Sequence, residues 1–371
     1  MLALWIMFKK LGLVAAFCCC GTLCAQTEWP TYGGDAGAMR YSSLAQITPS
    51  NAAKLVQAWV FDGDSESGGK TSGRSGEFTP LVIDGVLYAI NPDHTVVALD
   101  PQTGKPIWIY RSSHTGRTPR GIAYWHGDKQ DQNPARILFG TTDGFVIAVD
   151  AKTGKAIPGF GRNGEIDLKS AFEGSGNFQH YGVTAAPVVY KNLVITGSST
   201  QDSPSFGPPG DATAWDARTG VLVWRFHSVP RPGETGHQTW PEDGWKGRSG
   251  VNAWNTGTVD EKTGTLYMTF DSPASDLYGG DRPGNNLFGN TLVALDALTG
   301  KLIWYFQTTH HDIWDFDEPG QPTLGACRDE KADAGLLRLE MSLGAAGDAS
   351  FPLAVLTQRL ATVVHSGFAG R

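Results

Sequence analysis

Short apolar runs separated by turn residues dominate the chain, and one such pattern recurs. The string Ala-x-Asp-x-x-Thr-Gly occurs at 98–104, 148–154, 214–220 and 294–300. The alternating run from 95 to 99 predicts a strand, the aspartate that follows caps a turn, and the glycine takes the positive φ that a tight turn requires. Four copies in one register predict a repeat protein built from β-hairpins.

A tryptophan follows the repeated glycine by four residues in three copies, at Trp108, Trp224 and Trp304, and Trp59 resembles the end of an earlier, degenerate copy. An indole at one position of each sheet can pack between neighbouring sheets. The copies are spaced widely enough for four-stranded blades of about 40–50 residues with insertions. Because long helical periodicity is absent, the pattern predicts an all-β protein with the β-propeller fold.

Composition agrees with a large all-β core. The 371 residues include 47 glycines and 12 tryptophans, are 40% hydrophobic, and only 18% of them are charged. This excludes a disordered or coiled-coil protein. The formal net charge of −7 provides no basic surface for nucleic acid or an anionic membrane.

Residues 1–25 have the pattern of an export signal, which predicts a periplasmic protein. Lys9 and Lys10 precede an apolar stretch at 11–20, and small residues lead to a cleavage point after 25. A membrane anchor is the alternative, although the apolar stretch is short for a bilayer span. A lipoprotein site at Cys24 is disfavoured because the residue before it is a bulky leucine.

Cysteine placement limits the kinds of metal site. Four of the five cysteines lie within residues 1–25, so the mature chain keeps only Cys327 and cannot form an internal disulfide. A metal would therefore be bound by oxygen or histidine ligands. Such ligands favour a hard cation of the calcium type.

Four groups of residues together resemble a known family. They are Trp-Pro-Thr-Tyr-Gly-Gly-Asp at 29–35, the repeated hairpins, Arg-Gly-Ile-Ala-Tyr-Trp at 120–125, and His-His-Asp-Ile-Trp-Asp-Phe-Asp at 310–317. In this order they resemble the dehydrogenases that depend on pyrroloquinoline quinone (PQQ), from about residue 29 to 324. The His-His-Asp form looks more like the glucose and polyol branch than the methanol branch.

The resemblance implies an eight-bladed propeller of the quinoprotein type that holds PQQ and a cation. The cation would be Ca²⁺, with Mg²⁺ or a lanthanide as alternatives. The implied reaction is oxidation of an alcohol, polyol or sugar hydroxyl, with ubiquinone or cytochrome c as the electron acceptor. A base must remove the hydroxyl proton, and donors or a metal must polarise the quinone.

The resemblance also implies a base and metal ligands. Asp315 matches the catalytic aspartate and can also bind the metal; a simple turn aspartate is the alternative. Asp202 matches a metal-binding carboxylate, against an exposed loop aspartate. Ser272 stands about where the methanol branch has a ligating asparagine, and Asp317 resembles an additional carboxylate ligand. The histidine pair at 310–311 is predicted to be structural, because adjacent strand residues point to opposite faces.

Four further residues match the family's cofactor contacts. Trp254 matches the tryptophan on which the flat PQQ ring lies, with an inter-blade tryptophan as the alternative. Arg120 matches the arginine that binds a PQQ carboxylate, and Thr184 matches a hydroxyl that hydrogen-bonds the cofactor; both could instead be ordinary strand-end residues. His114 resembles a histidine that lies over the ring in the sugar branch.

The sequence changes character near its end. We predict a signal peptide at 1–25, a partial PQQ-binding propeller of about four or five blades at 26–325, and a tail at 326–371 unlike the family. That tail contains no tryptophan and no further Ala-x-Asp-x-x-Thr-Gly. A frameshift or premature end explains it, or a naturally shortened paralogue.

An open arc of blades is expected to give weak or absent turnover, because it cannot close around an axial cofactor. The alternative function is that of a non-catalytic periplasmic propeller that binds protein partners. A scaffold has no reason to keep Asp202, Trp254 and Asp315 together, so these three residues favour the dehydrogenase.

Overall fold

A computed structural model describes residues 28–61, 78–114, 119–172 and 180–325, together with two short strands further along the chain. Helical structure in these ranges is confined to short 3₁₀ segments at Ala52–Lys54, Leu168–Ala171 and His237–Thr239. No helix of the described residues is long and apolar enough to cross a membrane. The predicted signal at 1–25 lies outside the described residues.

Four four-stranded antiparallel sheets follow one another, and each strand pairs with the next in sequence. The first blade is β1 (Leu81–Ile83), β2 (Val86–Ile90), β3 (Thr95–Leu99) and β4 (Pro106–Arg111). The second is β5 (Ala123–Trp125), β6 (Arg136–Gly140), β7 (Phe145–Asp150) and β8 (Glu165–Asp167). The third is β9 (Val188–Tyr190), β10 (Leu193–Thr196), β11 (Ala212–Asp216) and β12 (Leu222–Phe226). The fourth is β13 (Thr258–Asp260), β14 (Thr265–Phe270), β15 (Thr291–Asp296) and β16 (Leu302–Gln307).

A three-stranded sheet comes after the fourth blade. It consists of β17 (Thr323–Leu324), β18 (Leu336–Arg338) and β19 (Val355–Thr357). The strands β5, β9, β13 and β17 neighbour one another in succession, which makes them the inner strands of adjacent sheets. Sequential meanders with adjacent inner strands are the architecture of a β-propeller. The predicted fold, with four or five blades, is confirmed.

Each repeated Ala-x-Asp-x-x-Thr-Gly string lies between the third strand of a blade and its fourth, outer strand. In the first blade the carboxylate of Asp100 accepts the backbone N–H groups of Gln102 and Thr103 at 2.8 and 3.1 Å. The N–H of Gly104, at φ +68°, donates to the Asp100 carbonyl at 2.8 Å. The predicted turn chemistry is therefore observed.

The alanine of the string has a packing role. Ala98 lies directly across from Trp108, Ala214 from Trp224, and Ala294 from Trp304, each next to a β-bulge. A small side chain at this position leaves room for the indole on the facing strand.

The predicted tryptophan contacts between blades are present, and their geometry repeats. The indole N–H groups of Trp59, Trp108 and Trp224 each donate at 3.0 Å to the carbonyl of the residue after the turn aspartate of the next blade. The acceptors are Pro101, Ala151 and Ala297. Each indole also covers the glycine of that turn, so that no Cβ could fit there.

The second blade departs from this rule because Pro158 stands where the tryptophan would be. The corresponding carbonyl of the third blade, on Ala217, instead accepts a hydrogen bond from Arg136 at 2.7 Å. The Arg136 guanidinium also lies 5.1 Å from the Trp125 ring centroid. A buried arginine thus replaces the indole as the donor between the second and third blades.

The hydrophobic core lies between blades. One cluster joins the first and second blades, around Ile83, Phe139 and Ile147, and a second joins the second and third. A third cluster, which includes Trp224 and Phe270, joins the third and fourth blades. Burial between sheets therefore fixes the blades relative to one another.

Candidate active site

Three of the predicted cofactor residues occupy equivalent positions in successive blades. Arg120, Thr184 and Trp254 each lie a few residues before an inner strand, ahead of β5, β9 and β13 respectively. Equivalent positions next to adjacent inner strands bring side chains from three blades to one region of the molecule.

These residues contact one another. The Arg120 guanidinium carbon lies 4.6 Å from the centroid of the Trp254 ring, within cation–π distance. The Arg120 backbone N–H donates to the Thr184 carbonyl at 2.7 Å. The Thr184 hydroxyl is buried and has no hydrogen-bond partner among the described residues. A planar cation, an aromatic surface and an unused hydroxyl are therefore neighbours.

The Trp254 indole connects this group to the loop that follows β16. Its Nε1–H donates to Oδ2 of Asp317 at 3.0 Å, and the backbone N–H of Ser272 donates to Oδ1 of the same carboxylate at 3.2 Å. Both oxygens of Asp317 are thus held, one by the aromatic residue and one by the loop after β14.

Asp312 organises the loop that carries the predicted base. Its carboxylate accepts the backbone N–H groups of Trp314 and Phe316 at 3.1 and 2.9 Å. It also accepts the Ser272 hydroxyl at 2.6 Å and the side-chain amide of Asn290 at 3.2 Å. The Ser272 hydroxyl therefore supports this loop, and its assignment as a metal ligand stays a prediction.

Asp315 lies at the tip of the organised loop, with φ of 61° in the left-handed region. Residues with side chains adopt this conformation uncommonly, so the fixed neighbours on either side determine where the carboxylate points. The side chain is exposed. Partial desolvation, together with the charges of Asp202 and Asp312, raises the pKa of Asp315 above its ordinary value.

Four carboxylates, Asp202, Asp276, Asp315 and Asp317, form an acidic cluster, and their charges help to raise the pKa of the last three. Burial, followed by the charges of the other three, raises the pKa of Asp276 to about 8. Burial and the charges of Asp315 and Asp202 raise the pKa of Asp317 to about 6, even though it accepts two hydrogen bonds. Such a cluster binds either protons or a cation.

Two further carboxyl groups lie buried beside the cluster. Asp271 accepts the backbone N–H of Glu318 at 2.6 Å, and Glu318 accepts the hydroxyl of Thr308. One oxygen of each carboxyl has no partner within the described ranges. Burial raises the pKa of Asp271 well above its ordinary value and that of Glu318 to about 7.

The described part of the chain contains no group of three or more His, Cys, Asp or Glu side chains already arranged as a metal site. His311, one of the paired histidines, has its Nδ1 2.9 Å from the Gly284 carbonyl and 3.1 Å from Oδ1 of Asn286. It thereby contacts the neighbouring loop. Metal binding by Asp202, Ser272, Asp315 and Asp317 stays a prediction. The three carboxylates lie near one another, but they are not arranged as the ligands of a metal.

The fourth predicted cofactor residue, His114, contacts two carboxylates of the second blade. Its ring nitrogens lie 2.7 Å from Asp143 and 3.0 Å from Glu165, both in the second blade. Burial lowers the pKa of His114, but hydrogen bonds with these carboxylates outweigh burial and raise it. Its contact with PQQ stays a prediction.

Sequence reasoning missed Asp276, Asn290 and the buried Asp271 as parts of this site. Asp276 is the only charged residue between 272 and 280, a signal that could have drawn attention to it. Asn290 has φ of 48° after a glycine, and its amide donates to both Asp312 and the Phe316 carbonyl. Its role depends on a fold that brings 290 beside 316.

Known proteins resemble this chain in sequence. The family model described as "Glucose/ethanol/alcohol dehydrogenase, beta-propeller domain", for proteins that use PQQ, matches residues 29–337. The quinate/shikimate dehydrogenase (quinone) of Acinetobacter baylyi is 30% identical over 322 residues, which are 81% of this chain and 39% of that protein. Quinoprotein glucose dehydrogenase A of Acinetobacter calcoaceticus is 31% identical, over 81% of this chain and 40% of that protein.

A solved structure gives the same result at the level of the fold. The quinohemoprotein alcohol dehydrogenase of Comamonas testosteroni superposes with a TM-score of 0.71 at 29% identity, over 85% of this chain and 46% of that protein. The chain thus spans about 40% of the length of the curated relatives it matches.

Proposed function

This chain belongs to the family of PQQ-dependent glucose, ethanol and alcohol dehydrogenases, and we propose that it takes part in oxidising an alcohol, polyol or sugar hydroxyl. The described blades would supply one wall of the site. When bound, PQQ supplies the carbonyl carbon that accepts a hydride equivalent. The observation that carries the proposal is the hydrogen bond from Trp254 to Asp317, which joins the aromatic surface to the acidic cluster.

The wall formed by Arg120, Thr184 and Trp254 fits a flat, anionic cofactor. The indole offers a planar surface, and the adjacent guanidinium can bind a carboxylate in a bidentate manner. The buried Thr184 hydroxyl, which has no partner among the described residues, would gain one from the cofactor's polar edge.

Asp315 is the base in this proposal. The hydrogen bonds that Asp312 accepts from the backbone on both sides of Asp315 fix its position. The carboxylate is exposed and can therefore reach a substrate hydroxyl and take its proton. Its raised pKa makes it a stronger base than an ordinary surface aspartate.

The cation belongs beside the acidic cluster. Asp202, Asp315 and Asp317 repel one another when ionised, and a divalent cation would remove that repulsion. Oxygen ligands favour Ca²⁺, with Mg²⁺ or a lanthanide as alternatives. Asp276, with its pKa near 8, would lose its proton on cation binding.

Location and electron acceptor follow as part of the same proposal. The export signal predicted at 1–25 would deliver the chain to the periplasm. There, ubiquinone or cytochrome c would accept the electrons. The substrate class is that of the family as a whole, a small alcohol, polyol or sugar.

The experiment that tests the proposal is binding of PQQ by the purified chain in the presence of Ca²⁺. We expect PQQ to quench tryptophan fluorescence and to change the absorbance spectrum. Trp254→Ala should weaken binding roughly tenfold or more, because the aromatic surface is lost. The matched control is Trp245→Phe, since Trp245 packs against the core of the third and fourth blades.

Two outcomes contradict the proposal. If PQQ changes neither signal, the periplasmic scaffold becomes the better interpretation. If Trp254→Ala and Trp245→Phe bind PQQ equally well, the indole is an inter-blade residue and not the cofactor surface. Turnover of glucose or a polyol at the rate of whole relatives would contradict only the expected weak activity of this chain.

A further inference from the structure

The carboxylates of the acidic cluster come from three separate loops. Asp202 lies between β10 and β11, Asp276 between β14 and β15, and Asp315 and Asp317 after β16. A fourth loop, between β12 and β13, carries Trp254. The separation of the carboxylates therefore depends on the contacts that hold these loops together.

The loop between β12 and β13 lies between two of the others and is hydrogen-bonded to both. The backbone N–H of Ser249 donates to the Ser205 carbonyl at 3.0 Å, in the loop that carries Asp202. The N–H of Ala274 donates to the Ser249 carbonyl at 3.2 Å, in the loop that carries Asp276. One residue thus connects the two loops through its backbone.

The side chain of Arg248, which is 2% exposed, strengthens this connection. Its Nη1 donates to the Ala274 carbonyl and to Oδ2 of Asp281, both at 3.0 Å. Its guanidinium carbon lies 4.9 Å from the centroid of the Phe206 ring, within cation–π distance. Partial burial raises the pKa of Asp281, but hydrogen bonds with Ser205 and Arg248 outweigh it and lower the pKa. Asp281 is therefore an ionised partner of both other loops.

Arg282, the next residue along the chain, connects the same loop to the one that carries the predicted base. It is fully buried, and its guanidinium donates to the Asp312 carbonyl. Its Nη1 also donates to Oδ1 of Asn286 at 2.9 Å, and the Asn286 amide donates to the Arg282 carbonyl at 2.7 Å. Because Asp312 accepts backbone N–H groups on both sides of Asp315, Arg282 supports the position of that loop.

The two arginines carry an electrostatic cost. Burial, followed by the charge of Arg248, lowers the pKa of Arg282, and the charges of Asp281 and Asp312 oppose this effect. Both guanidinium groups would also repel a cation bound by the acidic cluster. Only through their positioning of the loops can they favour such binding.

We propose that Arg248, Asp281 and Arg282, which we name the arginine cluster, hold the loops of Asp202 and Asp315 at the separation at which their carboxylates bind one divalent cation. All three are positioning residues. The effect on cation affinity rests on the proposed function. The positioning of the loops does not, and it can be measured without a cation.

The first test uses Tb³⁺, excited through nearby tryptophans, as the probe for the cation. Arg248→Gln removes a positive charge, so electrostatics alone would strengthen Tb³⁺ binding. Loss of positioning predicts the opposite, and we expect a roughly tenfold higher Kd. Arg248→Lys keeps the charge but not the guanidinium geometry and should lose less. Luminescence lifetimes in H₂O and D₂O should show more water molecules bound to Tb³⁺ in the glutamine variant.

The second test is amide hydrogen exchange without any cation. We expect Arg248→Gln to speed exchange in residues 198–207, 271–282 and 311–318, while β3 of the first blade exchanges as in wild type. The matched control is Lys246→Gln, which removes a positive charge two residues away on a side chain that is 59% exposed. It should leave both measurements near their wild-type values.

Two results overturn the proposal: Tb³⁺ binding by Arg248→Gln that equals or exceeds that of wild type, and unchanged exchange in all three segments. If circular dichroism shows that Arg248→Gln does not fold, Arg248→Lys decides by the same two measurements. A wild-type chain that binds no Tb³⁺ would contradict the cation site of the proposed function. Hydrogen exchange would then still decide whether the arginine cluster positions the loops.

Discussion

The repeated Thr-Gly turns and the acidic cluster both contain aspartates, but the two groups of carboxylates have different hydrogen-bond donors around them. Partial burial raises the pKa of Asp216, but hydrogen bonds from the side chain and backbone of Arg218 and from Thr219 outweigh it, so the pKa lies below its usual value. Burial and three neighbouring carboxylates instead raise the pKa of Asp276 to about 8.

This difference separates residues that build the fold from residues available for chemistry. A turn aspartate satisfies its oxygens with the backbone of its own turn, as Asp150 does with Lys152 and Thr153. The cluster gathers carboxylates from separate loops with too few donors to hold them all ionised. Such an arrangement loses stability locally and gains an affinity for protons or cations.

The largest effect is expected from a break in the turn contacts. A methyl group on Gly154 would lie 2.5 Å from the Trp108 ring, and the residue has φ of +67°. We expect Gly154→Ala to lower the free energy of unfolding by roughly 3 kcal/mol. Urea denaturation followed by circular dichroism measures this loss.

Gly85→Ala separates the clash from backbone strain. Gly85 has φ of +74°, but nothing lies within 4 Å of its missing Cβ. Its substitution should lower the free energy of unfolding by about 1 kcal/mol, the strain of the left-handed conformation alone. Equal losses for the two variants would show that the indole contact adds nothing to stability.

An intermediate effect is expected from Asp276→Asn, and it depends on pH. The native Asp276 carboxyl keeps its proton up to about pH 8, whereas an ordinary aspartate has a pKa of 3.8. Between these two pH values the native state binds one proton more than the unfolded state. The free energy of unfolding of the wild type therefore falls as the pH rises through this range. At pH 8 the asparagine variant should be more stable than wild type by about 1–2 kcal/mol, after allowance for solvent screening.

At pH 5 the advantage of the asparagine variant should be smaller than at pH 8, because only the lower part of the range between 3.8 and about 8 has been crossed. Thermal melts at both pH values provide the measurement. Asp131→Asn, at a side chain that is 61% exposed, is the control. If Asp276→Asn gave no advantage at pH 8, the carboxylates would not be close enough to repel one another.

The smallest effect concerns cation binding by the acidic cluster. At pH 8, Ca²⁺ at ten times its Kd should stabilise the chain by about 1.4 kcal/mol, seen as a rise in Tm. Asp202→Asn should reduce this rise, and Asp131→Asn should not. At pH 5 the rise should be smaller, since the carboxylates keep their protons. A rise that survives Asp202→Asn unchanged would place the ion elsewhere.

Local features of the sequence were sufficient to predict the blades. The turn from Asp100 to Gly104 uses only its own backbone and side chains, so its pattern can be read without the rest of the fold. The indole contacts were also predictable, because each links one repeat to the next. The grouping of Arg120, Thr184 and Trp254 followed from their matches to the family.

Contacts between distant loops could not be predicted in the same way. Arg136 replaces a tryptophan only because β6 passes near the third blade's turn, 81 residues along the chain. Asp276 joins the cluster through the fold of the loop after β14. His114 was placed by its order in the sequence, whereas its hydrogen bonds are set by Asp143 and Glu165 across the blade boundary.

The indole contacts also set an order of folding, because each tryptophan is synthesised before the carbonyl that it contacts. The carbonyl that accepts the indole N–H lies further along the chain in every case: 42 residues after Trp59, 43 after Trp108 and 73 after Trp224. During synthesis on the ribosome, each indole contact would therefore form only after the following hairpin has emerged. Such nearest-neighbour contacts let the sheets fold in the order of translation.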